Sequence, residues 1–305
     1  EKALHADLLI PNDGRDLGHF LSEAEGRLLA EWRARRDRTW RASMPAPFRS
    51  HEFREVLEAL LSKGGDYAEL FVEQRRACGL GMDDGRMEDV LSSETFGASL
   101  RLVEGETTRF ADLIAPTLPE LLEATRTLAA PGKGACASLP ELELRRFPTP
   151  CPVERDPAEV PLSEKVALVR GAEALARRHG ESLLAGAVRQ VAVGYGDNTQ
   201  RVWIASAERR DGTWHVELAE DCRVQSVFRL NVTAASGDQL QTGYQALGES
   251  RGFELFTEEA VGRTVKEAVR LAIQALSARP APAGTFPVIL SSSAGGTMIH
   301  EACGH

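Results

Sequence analysis

The residues His300-Glu301-Ala302-Cys303-Gly304-His305 bring two imidazoles and a carboxylate close together along the chain. These are the side-chain types a zinc hydrolase requires: neutral imidazoles to hold the metal, an open coordination position for water, and a carboxylate to take that water's proton. On this reading His300 and His305 are metal ligands. Glu301 is the catalytic base, carrying the proton to the leaving amine while the metal polarises the scissile carbonyl. The pattern, His-Glu-x-x-x-His, is one residue longer than His-Glu-x-x-His, in which the histidines at i and i+4 share a helix face. At about 100° per residue, five steps leave His305 roughly 140° around a regular helix from His300, too far for joint ligation. Two local devices close the gap. Gly304 can take φ > 0, end the helix and swing His305 back, or the helix can widen into a π turn. Cys303, at i+3, is a further candidate ligand that reads more readily as a small packed hydrophobe.

No other group of this kind stands out. His5, His19, His51, His179 and His215 are dispersed among charged or strand-edge neighbours and read as surface or hydrogen-bonded residues. Ser291, Ser292 and Ser293 have no adjacent base to make a nucleophile of them. Gly194-Tyr195-Gly196-Asp197 lacks the strand-turn-helix setting of a dinucleotide site and reads as a turn. Cys78, Cys136, Cys151, Cys222 and Cys303 are odd in number and form no Cys-x-x-Cys pair. That usage argues against a disulfide framework and for a reducing, cytoplasmic setting.

Composition narrows the class. Hydrophobic residues make up 43% and charged residues 27%, as in soluble globular proteins, and no apolar run approaches the roughly 20 residues of a membrane span. A formal net charge of -9 repels phosphate backbones, so neither nucleic acid nor membrane is an expected partner. The local exception is Arg33, Arg35, Arg36, Arg38 and Arg41 with Trp32 and Trp40, a solvated helix face or a dock for an acidic surface.

The elements that must position the motif follow from periodicity, and the expected class is α+β. Residues 1–50 read as an N-terminal helical arm, and 51–130 as a first α+β domain. A helix carrying Phe53, Val56, Leu57, Leu60 and Leu61 opens that domain. Strands follow at 67–81, 87–92, 97–103 and 107–113, with turns at Asp84-Gly85 and Glu104-Gly105, and then a helix over 118–129. Residues 131–161 hold seven prolines and read as a Pro-rich linker, with Leu139, Leu142 and Leu144 as a contact strip. A second α+β domain at 162–279 repeats the plan. Ser163 caps a helix to about His179, strands fall at 183–195, 199–207, 214–236 and 241–251, and Thr257 caps a closing helix. Two consecutive helix, antiparallel meander, helix units are thus followed at 286–305 by the start of a third, mainly β domain. It opens with a strand at 286–290 and carries the motif on a helical turn from Thr297.

In this setting the chain resembles the TldD/PmbA family of peptidases, in particular its metal-bearing TldD-type subunit. The resemblance lies in Gly65-Asp66-Tyr67-Ala68-Glu69-Leu70-Phe71, in Asp83-Asp84-Gly85-Arg86-Met87-Glu88, and in Arg279-Pro280-Ala281-Pro282-Ala283-Gly284 through Phe286-Pro287-Val288-Ile289-Leu290. Its most specific part is Gly296-Thr297-Met298-Ile299-His300-Glu301-Ala302-Cys303-Gly304-His305. It implies a zinc-dependent peptidase acting on unfolded or leader peptides inside a dimeric chamber, as a homodimer or paired with a metal-free subunit. It also implies a third zinc ligand from a large third domain, most of which lies beyond the end of this chain. The competing expectation is a non-catalytic binding or dimerisation subunit of the same assembly.

Overall fold

The computed structural model describes residues 46–129, 138–147 and 153–305. Up to residue 45 the expected N-terminal arm lies outside the described residues, as do Cys136 and Cys151. The first part runs α1 (Ser50–Leu60), β1 (Tyr67–Asp83), β2 (Arg86–Glu104), β3 (Thr107–Ile114), α2 (Leu118–Leu128) and β4 (Leu144–Arg146). After these come α3 (Leu162–Leu183), β5 (Val188–Arg210), β6 (Thr213–Ser236), β7 (Gln239–Glu249), α4 (Glu258–Ala275) and α5 (Ser292–Ile299), the last continuing into a π turn, His300–Gly304.

The expected α+β class holds, and the two meanders join. Seven strands form one sheet in the order β3-β2-β1-β5-β6-β4, with β7 also on β6. The junction is β1 against β5, antiparallel from Tyr67↔Glu208 to Asp83↔Ala192. The outer edge of β6 is shared: β4 runs parallel along Leu218–Glu220, and β7 pairs antiparallel from Ser226 onward. Two-residue turns join the long strands. At Asp84-Gly85 and Asp211-Gly212 both residues have positive φ, the backbone that matches strand twist.

Alternation along the strands shows that a single face is covered. On β1 the buried apolar residues are Ala68, Leu70, Val72, Leu80 and Met82, all of one parity. On β5 they are Val191, Val193, Tyr195, Trp203, Ala205 and Ala207, again of one parity. Phe53, Val56, Leu57 and Leu60 of α1 and Leu121 of α2 close over Leu70, Leu100, Leu102, Trp203 and Leu218. At the other end of the same face, Val169 and Ala176 of α3 and Val265, Val269 and Ala272 of α4 cover Leu80, Val193, Phe228, Leu230 and Val232. Thr257 caps α4 as expected, its hydroxyl accepting from the amide of Ala260 at 3.2 Å. Gly243 lets α4 lie directly on β7, because a Cβ there would stand 2.0 Å from the carbonyl oxygen of Ala268.

Several expected boundaries move. Strands foreseen at 87–92 and 97–103 are one strand, β2, and those at 183–195 and 199–207 merge into β5. The Gly194-Tyr195-Gly196-Asp197 stretch is therefore not a turn but the middle of a strand. Its polar residues stay in the sheet because they find partners on the covered face. Asp197 accepts from Lys165 Nζ at 2.5 Å and from the Tyr195 hydroxyl at 2.6 Å. Thr199 donates to Asp156 at 3.1 Å, and Arg201 reaches Glu220 at 2.5 Å. Helix α3 starts at Leu162 behind Pro161, whose fixed φ suits a helix entry, so Ser163 lies inside the first turn instead of capping it.

The Pro-rich segment also has structure of its own. Leu139 and Leu142 are buried among the α1 and α2 side chains, Leu144 begins β4, and Asp156 and Val160 are buried beside the middle of the sheet. By contrast, the strand expected at 286–290 is not formed. Among the described residues no strand pairs with it, and Ile289 is 99% exposed. Without a partner to complete the hydrogen-bond ladder, apolar β-branched sequence alone does not make a strand.

Lys165 is 4% and Asp197 7% exposed. Lys165→Ala would leave the Asp197 carboxylate buried without its counter-ion, so it should lower unfolding free energy by about 3–5 kcal/mol. Urea unfolding monitored by Trp fluorescence measures this, and a loss under about 1 kcal/mol would show that the pair is dispensable.

Candidate metal centre

Helix α5 carries the motif. Ser291 caps it, its hydroxyl accepting from the amide of Ala294 at 3.3 Å, so that hydroxyl is engaged in capping. The helix begins at Ser292, five residues before the expected start at Thr297. At His300 the backbone widens into the π turn, whose i→i+5 closure brings residues five apart over one another. His305 thus returns to the same side as His300, with ring centroids 4.5 Å apart and planes at 70°. Of the two devices available to close the spacing, widening is the one adopted, and Gly304 does not take positive φ.

His300, Glu301 and His305 each offer one ligand atom, and these atoms lie within 4.8 Å of one another. Around a tetrahedral zinc with ligand distances near 2.1 Å, donor atoms stand roughly 3.4 Å apart. The trio is more open than that by at most about 1.4 Å, within the reach of side-chain rotation on an exposed turn. The two imidazoles match donor types zinc takes, and the Glu301 carboxylate lies close enough to act on water beside them. His300 and His305 therefore fit as two of a zinc ion's ligands. Among the described residues this is the one cluster of three or more His, Cys, Asp or Glu side chains placed to hold a metal.

The remaining candidates are placed elsewhere. Cys303 is exposed, not packed as expected, and His51 and His215 are exposed on the surface. Cys78 lines a cavity of about 340 Å³ with Lys165, Asp197, Ser92 and Ser93, a grouping that sequence spacing did not reveal because four elements contribute to it. Burial, more than any neighbouring charge, pushes the Cys78 thiol up, which leaves it a poor nucleophile. Burial likewise pushes the Cys222 thiol up, to about 12.

An α+β chain that brings two histidines and a glutamate within 4.8 Å of one another has the donor types of a metallohydrolase candidate. Comparison with known proteins narrows this. The family profile described as the PmbA/TldA metallopeptidase central domain matches residues 155–276, and that of domain 1 matches residues 68–129. The chain belongs to the TldD/PmbA family. A metalloprotease of Methanothermobacter thermautotrophicus is 26% identical over 248 residues, covering 79% of this chain and 50% of the relative. A metalloprotease TldD homolog of Haemophilus influenzae is 27% identical over 274 residues, covering 86% of this chain and 53% of its own length. The chain spans about half the length of the curated relatives it matches. In fold it is similar to a Thermotoga maritima protein described as a candidate modulator of a DNA gyrase, with a TM-score of 0.54 at 15% identity, covering 77% of this chain and 50% of that one. Both matched profile segments end before His300, so membership rests on the sheet and its helices and not on the trio.

The thiols provide a check on this surface. At pH 8 an alkylating reagent should label Cys303 well before Cys222, which stays protonated and covered until the chain unfolds. As pH rises from 9 toward 12 the unfolded chain loses the Cys222 proton while the folded one keeps it, so that thiol's contribution to stability falls with pH. Peptide mapping by mass spectrometry reads the order of labelling; Cys222 reacting first would contradict its placement.

Proposed function

We propose that the protein is a zinc-dependent peptidase of TldD type, with His300 and His305 as metal ligands and Glu301 as general base. What carries the reading is the π turn, which gathers two imidazoles and a carboxylate that a regular helix of this sequence would separate. Both relatives named above are described as metalloproteases, which supports it. Zinc held here would supply Lewis-acid polarisation of a peptide carbonyl and acidification of water. Glu301 takes a proton at a carboxylate oxygen and returns it to the leaving amine nitrogen. Its carboxylate lies within 4.8 Å of the ligand nitrogens of His300 and His305, close to the water it would deprotonate. Three protein ligands are the usual catalytic minimum, so the reading calls for one beyond the two histidines.

The substrate class we infer is the unfolded or leader peptide, cut inside a chamber formed by a homodimer or by pairing with a metal-free family member. An enclosed chamber excludes folded proteins by size, and an extended peptide can add its backbone to a strand edge, so recognition depends on chain extension more than on side-chain pockets. Scattered cysteines that form no Cys-x-x-Cys pair support a cytoplasmic setting. Among the described residues no helix is long and apolar enough to cross a membrane.

A non-catalytic binding subunit is the second reading, favoured by the full exposure of all three motif residues. Metal analysis separates the two, since stoichiometric zinc retained through dialysis argues against it. In the full-length protein, Glu301→Gln should cut hydrolysis of an unfolded peptide by about a hundredfold or more while leaving zinc content unchanged. Unchanged turnover would sink the assignment of Glu301.

A further inference from the structure

We propose that Gly304 is a positioning residue for His300, the one residue type at that position that lets the π turn and a ligating imidazole coexist. The inference rests on the metal reading of the trio and extends it to a residue with no donor atom. Widening the turn brings His305 back over His300, and it also brings the backbone of residue 304 against the ring of His300. A Cβ on Gly304 would stand 3.1 Å from His300 Nδ1, 3.7 Å from Cγ and 3.8 Å from Cε1. The edge of the ring bearing Nδ1 therefore lies on the bare Cα of Gly304, leaving Nε2 as the outward, ligating nitrogen.

Magnitude makes this matter. A contact of 3.1 Å is tighter than nine in ten real Cβ contacts, so the ring must give by a few tenths of an ångström when a methyl is added. Metal–ligand distances hold to about 0.2 Å. The displacement is thus as large as the whole tolerance of the site. Gly304 has no conformational reason to be glycine, since its φ is not positive, and alanine is the better helix former. The three nearest side-chain atoms the methyl group would meet all belong to the imidazole of His300.

That contrast sets the test. Gly304→Ala should weaken zinc binding about tenfold to a hundredfold, the range seen when groups that orient ligands are altered. It should also change the visible absorption of the Co²⁺-loaded protein, while far-UV circular dichroism shows helix content equal to wild type or higher. Gly296→Ala, in the same helix but with open space where its Cβ would lie, is the control and should bind zinc within about twofold of wild type. All variants are made in the full-length protein, with His300→Ala alongside. If His300→Ala loses zinc but Gly304→Ala binds within twofold with an unaltered Co²⁺ spectrum, the role of Gly304 is refuted and the metal site stands. If His300→Ala binds as wild type does, the metal reading fails and this inference falls with it.

Discussion

Asp197 takes hydrogen bonds from Lys165 and Tyr195 at a level of the sheet between the two apolar clusters, and the length of the strands makes such a level unavoidable. β5 has 23 residues, about 75 Å of extended chain, whereas strands usually have five or six. α1 is about 16 Å long and α3 about 33 Å, and the two apolar clusters they build with α2 and α4 lie at opposite ends of the strands. The level between the two clusters is filled with buried polar groups that satisfy one another: Lys165 with Asp197, Thr199 with Asp156, and Arg201 with Glu220. These contacts also hold register. A slip of one residue along β5 would turn Asp197 to the open face and leave Lys165 buried and unpaired, in addition to reversing every apolar side chain.

The same polar level explains which parts of the fold were legible. The helices were readable because their apolar spacing is local, and α1, α2 and α4 fall within a few residues of where periodicity places them. Strand positions were readable at the apolar ends. They failed at the middles, where Ser93-Glu94-Thr95 and Gly196-Asp197-Asn198 look like turn sequence yet continue as strand. What keeps them extended lies elsewhere in the chain, on neighbouring strands and in Lys165 of α3, and no local pattern encodes it. The pairing of β1 with β5, between residues more than 100 positions apart, is likewise invisible to periodicity.

At the motif the residue types were readable and the backbone only as a pair of alternatives. Spacing alone demanded a departure from the α-helix. Choosing between a left-handed Gly304 and a π turn required coordinates, and the choice changes the meaning of the glycine, from a residue needed for its φ to one needed for its missing side chain. Cys303 illustrates the opposite error. A small sulfur side chain is usually buried, but on α5 and its π turn there is little for it to pack against, because that segment stands out from both apolar clusters.

Exposure finally decides what the trio can do. Charge stabilisation and proton transfer are strong where water is excluded, and weak where solvent competes for every donor. His300, Glu301 and His305 are solvent-exposed, as are Val288 and Ile289 in the segment before α5 and Met298 and Ile299 just before the motif. Exposed apolar residues in the segment that carries candidate ligands are the kind of surface that association buries. The proposed chemistry needs that burial, since covering these side chains would dry the site, and it needs a further ligand for the metal. On the proposed reading, what packs against α5 decides whether the trio stays open to water or becomes a dry site fit for catalysis.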